Sequence, residues 1–256
     1  MKNKSVKTDD SEMSFFDHLE EFRWRLVKSI IGLVLGAIVV GIYSDYIITN
    51  VLLKIAKNTN PPLNIINLKP YGQLSLYFEV IIIGGLILSF PVIIYQFWKF
   101  IEPALKENER KYIFGSIVGT VFCFLSGIVF VYYIMLPTAL NFFAGFGSTS
   151  INNQIAIDEY MSFILTLLLT GGLVFELPVV SFFLGKIGVL KPSFMRKYRR
   201  HAIVIILIVA GVVTPSPDVA SQILLSLPLI FLYEISIFVC KMAQKKEVNI
   251  EVNETN

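Results

Sequence analysis

Carboxylates placed where water is scarce are the residues of this sequence best suited to chemistry. Glu176 stands in TGGLVFELPVV, well inside an apolar run, with Pro178 two residues on. An unpaired carboxylate at mid-bilayer costs about 2.5 kcal/mol or more, so such a residue usually faces a partner or a wet cavity. Glu79 and Glu234 lie nearer the ends of their runs, within reach of an interface. Asp218, in TPSPDVASQ, precedes an apolar run and is placed to cap it. Two further groups sit among cations. Residues 14–28, SFFDHLEEFRWRLVK, set Phe15, Leu19, Phe22 and Leu26 on one helical stripe, with Glu21 and Arg25 as an i,i+4 pair. Residues 100–111, FIEPALKENERK, alternate Glu102, Glu107 and Glu109 with Lys106, Arg110 and Lys111. Charge and spacing alone favour solvated headgroup charges for the first group and mutual salt bridges for the second. The competing reading is a carboxylate awaiting a basic ligand.

Nothing in the sequence makes a catalytic set. There is no Gly-x-Ser-x-Gly, no His-Glu-x-x-His and no phosphate-binding glycine loop. His18 and His201 lack Cys or His neighbours at ligand spacing, and Cys123 and Cys240 read as small packed hydrophobes in apolar runs. The sequence therefore predicts no enzyme, no metal and no cofactor. Glu176 alone leaves open a proton-coupled small-solute transporter, with that carboxylate as proton carrier.

The elements that must position these groups are read from the apolar runs. Of 256 residues, 55% are hydrophobic and only 16% charged, where soluble chains carry nearer a quarter, so most of the chain has no water to face. Six runs stand out, at residues 26–43, 74–98, 112–136, 160–184, 201–213 and 219–240. A bilayer core of about 30 Å needs roughly 20 helical residues. The fifth run falls short, so in a six-span, all-α protein either the bilayer thins around it or the fifth and sixth runs form a short hairpin. The polar start of the chain predicts a retained first span rather than a cleaved signal.

The cations sort themselves. Nineteen of the 22 Lys and Arg fall in the N-terminal segment, in the stretches between the second and third and between the fourth and fifth runs, or in the tail; only Lys54, Lys57 and Lys69 fall elsewhere. The positive-inside rule then predicts both ends in the cytoplasm. Residues 44–73 read as a surface helix over the membrane, closed by Pro61 and Pro62. Pro91, Pro137, Pro178 and Pro228 sit within or at the ends of runs and predict bends. The expected organisation is a cytoplasmic segment with an amphipathic helix (1–25), a six-helix membrane domain (26–240) and a polar cytoplasmic tail (241–256).

Several segments together resemble the TatC family, the polytopic subunit of the twin-arginine protein translocase. They are HLEEFRWRL (18–26), PVIIYQFWKFIEPALKENER (91–110), FELPVV (175–180), RKYRRHAIV (196–204) and TPSPDVASQ (214–222), in the family's order. The resemblance implies a cupped, concave wall of six helices with short fifth and sixth members. It implies that Glu21 and Glu109, with Arg23 and Phe100 as neighbours, bind the paired arginines of a signal peptide. It matches Glu176 to the family's intramembrane glutamate and Asp218 to its outer-side aspartate. Its implied partners are twin-arginine signal peptides of folded cargo, single-span subunits of TatA type with or without a TatB type, other copies of the chain, and the bilayer, with no nucleic acid. Two departures fall on the outer side: PYGQL (70–74) where the family has P-x-E-x-F, and Glu79 where several relatives have lysine.

Overall fold

A computed structural model describes residues 15–146, 154–213 and 219–254. It is almost wholly helical, as a chain must be when lipid offers its backbone no hydrogen bonds. We label the principal helices α1 (Phe15–Ile42), α2 (Gly72–Ile101), α3 (Ile113–Phe130), α4 (Leu136–Gly145), α5 (Ile157–Val174), α6 (Leu177–Lys186), α7 (Arg199–Val213) and α8 (Val219–Glu254). Among the described residues five stretches are long and apolar enough to cross a membrane: His18–Ile42, Gly72–Ala104, Glu107–Gly145, Ile157–Lys186 and Leu225–Gln244. The short fifth run forms α7, 15 residues or about 22 Å long. Large apolar side chains point outward from the spans, Phe122 being 71% and Phe231 67% exposed, which suits lipid and not water.

Each span has a reason for its shape. α1 and α2 lie antiparallel along a seam of small residues. A Cβ on Gly36 would come 2.7 Å from the Gly85 carbonyl oxygen, and one on Gly85 would come 2.7 Å from the Ala37 Cα. Gly32 and Gly36 have the G-x-x-x-G spacing that lets membrane helices approach this closely. A second close approach joins α3 to α5, where a Cβ on Gly127 would sit 2.9 Å from the Gly171 carbonyl. α5 packs against both α2 and α3, and α8 packs along α6.

The prolines act differently from one another. Pro178 breaks the fourth span: α5 ends at Val174, Phe175 and Glu176 form a turn, and α6 starts at Leu177. In a first turn the missing N–H costs nothing. Gly188, at φ 77°, stops the helical path just after α6. Pro137 does not end the third run at residue 136. A π turn over Val131–Met135 widens the helix immediately before it, and the helix continues as α4 to Gly145.

Residues 44–73 depart from the surface helix expected of them. A π turn at Ile47–Leu52 and a short helix at Leu53–Lys57 bury Ile48, Leu52, Ile55 and Ala56 in the main core. The cause is Tyr160 of α5, whose hydroxyl donates to the Leu52 carbonyl (2.8 Å) and accepts from the Ala56 N–H (3.2 Å). Two short strands, β1 (Asn64–Ile66) and β2 (Gln154–Ala156), pair in parallel with Asn64 opposite Gln154. Lys69 and Asp158 form an ion pair beside them, and that contact raises the Lys69 pKa above its ordinary value.

Candidate functional site

The antiparallel seam brings the start of α1 to the end of α2. The His18 ring stacks on Phe100 (centroids 4.7 Å apart, planes 18° from parallel), and Phe22 meets the same ring edge-on at 5.4 Å. Glu21 lies between these two contacts in sequence. Arg25 donates to its Oε1 through Nε at 2.9 Å and also through Nη2, the i,i+4 pair that the spacing predicts. Both side chains are about four-fifths covered, so this pair is better shielded than an open surface bridge. Glu21 Oε2 is closed to solvent and makes no hydrogen bond, with His18 Nδ1 4.0 Å away. A carboxylate accepts at roughly four sites, so Glu21 has capacity for a further donor.

Arg23 is placed differently. Two residues on from Glu21, it lies on the other side of α1, 3.9 Å from Glu20 and with its guanidinium 5.6 Å from the centre of the Trp24 ring.

Glu109 is the third residue of a one-turn helix, Glu107–Arg110, and its Oε2 accepts the Lys106 N–H at 3.1 Å. The turn is held from two sides. Arg110 donates to the carbonyls of Leu105 and Pro103, and Leu105 packs on a cluster of Trp98, Ile113 and Phe183. Mutual salt bridges, expected here from charge alone, are realised among the described residues at Lys99 and Glu102 (2.7 Å) but not at Glu109. Glu21 and Glu109 share no partner. What relates them is α2, which carries Phe100 against α1 and leads directly into the Glu109 turn.

The end of α6 reaches the same place. Lys186 is buried and lies 5.0 Å from the centre of the Tyr112 ring, and the Tyr112 N–H donates to the Glu109 carbonyl at 3.0 Å. Neither contact was visible in the spacing of the sequence; an aromatic residue next to each charged motif was the only trace.

Glu176 sits at the break between α5 and α6, ten residues from Lys186 and so about 15 Å into the span. It is 9% exposed, and neither carboxylate oxygen has a fully formed hydrogen bond. The Thr120 side chain and Phe124 backbone of α3 stand beside it. Glu79 faces Ser162 of α5, and Glu234 pairs with Arg199 at 2.6 Å, joining α7 to α8. Asp218 lies outside the described residues. Among the described residues no three His, Cys, Asp or Glu side chains are grouped to hold a metal.

Five membrane-length apolar helices, with polar groups gathered at one end and a carboxylate at the break of one span, are the architecture of a multi-pass membrane protein. Residues 17–228 match the family described as Sec-independent protein translocase protein (TatC), and the chain belongs to that family. It is 38% identical to the TatC of Carboxydothermus hydrogenoformans, over 95% of this chain and 99% of the relative. It is 36% identical to that of Aquifex aeolicus, over 93% and 99%. A crystal structure of the twin arginine translocase receptor TatC superposes with a TM-score of 0.80 at 36% identity, covering 88% of this chain and 99% of that one. The chain is thus a component of the Sec-independent protein translocase.

Proposed function

We propose that this chain is the receptor for twin-arginine signal peptides of folded cargo, with Glu21 and Glu109 as the carboxylates that take the paired arginines. The observation that carries the proposal is Glu21 itself. It already holds one guanidinium, that of Arg25, on Oε1, and keeps Oε2 uncommitted beside the Phe100 ring contacts. A guanidinium presents a planar fork that a carboxylate accepts bidentately, and an ammonium has no such fork. Glu109, on a turn braced by Arg110 and Leu105, supplies the second acceptor. Phe100 shapes the floor between them, and Arg23 tunes the field from the far side of α1. The receptor name borne by the solved relative supports this reading.

The site end faces the cytoplasm and both termini lie there. The grouping of Arg25, Lys99, Lys106, Lys186 and Lys191 around that end supports the orientation, since cations are retained on the cytoplasmic side. With α7 as a short fifth crossing, six helices form a cupped wall in the cytoplasmic (inner) membrane. The proposed cytoplasmic segment 1–25 and membrane domain 26–240 share one helix at their boundary, since α1 runs unbroken past residue 25, and 241–256 is the cytoplasmic tail. The apolar part of the signal passes along the concave face by Glu176, with Asp218 toward the exit side. TatA-type subunits, with or without a TatB type, and further copies of this chain complete a path driven by the proton gradient. No step is enzymatic.

Photo-crosslinking tests the assignment. A photoreactive residue at position 97, where Phe97 is exposed on α2, is expected to capture a twin-arginine signal on the wild-type background and to lose most of that product with Glu109→Gln. Equal capture by both proteins would remove Glu109 from the site.

A further inference from the structure

On the orientation proposed above, on which this inference rests, three cations fall on the outer side, and they invite a separate explanation because membrane proteins keep such residues scarce there. Lys69 has one in Asp158. Lys54 and Lys57 do not: no carboxylate among the described residues pairs with either. They stand three residues apart in the short helix Leu53–Lys57, so they project to the same side of it.

Lys54 lines a groove of about 280 Å³ between that helix and the third span, with Asn58, Thr59, Tyr132, Tyr133 and Asn141 around it. The height of the groove follows from the helix. Tyr132 is twenty residues beyond Tyr112, about 30 Å at 1.5 Å per residue, which is the thickness of the hydrocarbon core. A bilayer core set between Tyr112 and Tyr132 would put both tyrosines at interfaces, where tyrosines gather, and the groove at the level of the outer headgroups. Below it the same helix turns Phe122 and Val129 outward, a surface made for acyl chains. The Thr59 hydroxyl is spent inside the loop, on the Ala56 carbonyl, and the Tyr132 hydroxyl on the Val51 carbonyl, which leaves Lys54, Asn58 and the Tyr133 hydroxyl as donors for a ligand.

We propose that this groove binds an outer-leaflet phospholipid, its phosphate at Lys54 and Asn58 with Lys57 adding charge, and its chains along the exposed face of α3. An anionic headgroup fits best, since no acidic residue lines the groove. The lipid would fasten the 44–73 loop to the third span on the side away from the signal site.

Native mass spectrometry of the purified full chain in detergent tests this with three additives: phosphatidylglycerol, diacylglycerol and inorganic phosphate. Wild type is expected to retain one phosphatidylglycerol and no diacylglycerol. Lys54→Gln and Lys57→Gln are each expected to weaken retention about fivefold, the worth of one basic residue near an anionic surface. Lys54→Arg keeps the charge and is expected to retain the lipid. Lys69→Gln, which loses the loop's ion pair but not the groove, serves as the folding control and is expected to retain it as well. Equal retention by wild type and Lys54→Gln, or equal retention of diacylglycerol, would overturn the proposal. Displacement by millimolar inorganic phosphate would also overturn it, by making the groove a site for a free anion.

Discussion

His18 and Phe100 stack face to face, 4.7 Å between centroids, across the joint where α1 begins and α2 ends. This contact, with Phe22 edge-on to the same ring, is what fixes Glu21 relative to the turn bearing Glu109. Aromatic pairs of this kind contribute about 0.5–1.5 kcal/mol each beyond their burial. Phe100→Ala is therefore expected to loosen the start of α1 with only a modest loss of global stability. Hydrogen exchange would show it as faster exchange over the first turns of α1, with the middle of the helix unchanged.

The α1–α2 seam makes a sharper stability prediction. Gly36→Val places methyl groups where the Gly85 carbonyl lies 2.7 Å from a bare Cβ, and backbone cannot yield as a flexible side chain does. Overpacking of this sort costs about 1–3 kcal/mol. A thermal melt in detergent should fall by several degrees for Gly36→Val. Gly145→Ala, with nothing within 4 Å of the added Cβ, should leave it where it was.

Tyr160→Phe removes the hydroxyl that meets two backbone groups, the Leu52 carbonyl and the Ala56 N–H. Leaving buried polar groups unmet costs about 1–3 kcal/mol. The loss should be local, so limited proteolysis is expected to cut within residues 44–73 before any other site opens.

Much of the fold was legible because lipid leaves few alternatives to a helix: the apolar runs at 74–98 and 201–213 became Gly72–Ile101 and Arg199–Val213 with shifts of three residues or fewer. Where the sequence misled, a second element intervened. The apolar run ends at residue 136, before Pro137, yet the helix continues to Gly145 because the preceding π turn absorbs the proline. Residues 44–73 read as a surface helix over the membrane, yet Tyr160, a hundred residues away, holds the Leu52–Ala56 turn in the core. β1 and β2 are three residues each and carry too little pattern to announce a pairing. The Gly32 and Gly36 spacing alone does not announce the small-residue seam, because which face meets a neighbour depends on Gly84 and Gly85 of another helix. As for the site, spacing alone supplied the Glu21–Arg25 pair, whereas Phe100 and Glu109 came from family resemblance, since contacts between distant segments leave no local trace.

Glu176 offers a way to test whether binding and passage are separate steps. It lies at the broken span, about 15 Å from the Lys186 end, and touches neither Glu21 nor Glu109. Glu176→Gln keeps the shape and removes the charge. It is expected to leave signal affinity at the cytoplasmic end unchanged while lowering export of a twin-arginine reporter in vesicles. If signal affinity fell with export, the two carboxylate sites would not be separate steps.

The central claim is that two carboxylates read two guanidiniums, and a double-mutant cycle on binding tests it most directly. The affinity of a twin-arginine peptide, and of its twin-lysine counterpart, would be measured on the purified chain, on Glu21→Gln, on Glu109→Gln and on the double variant. Hydrogen bonds to charged groups are worth about 1.5–3 kcal/mol, so each single change should weaken the arginine peptide roughly 10- to 100-fold. The lysine peptide should bind weakly throughout and respond little to either change. Wild-type affinity for the arginine peptide in the double variant would contradict the account.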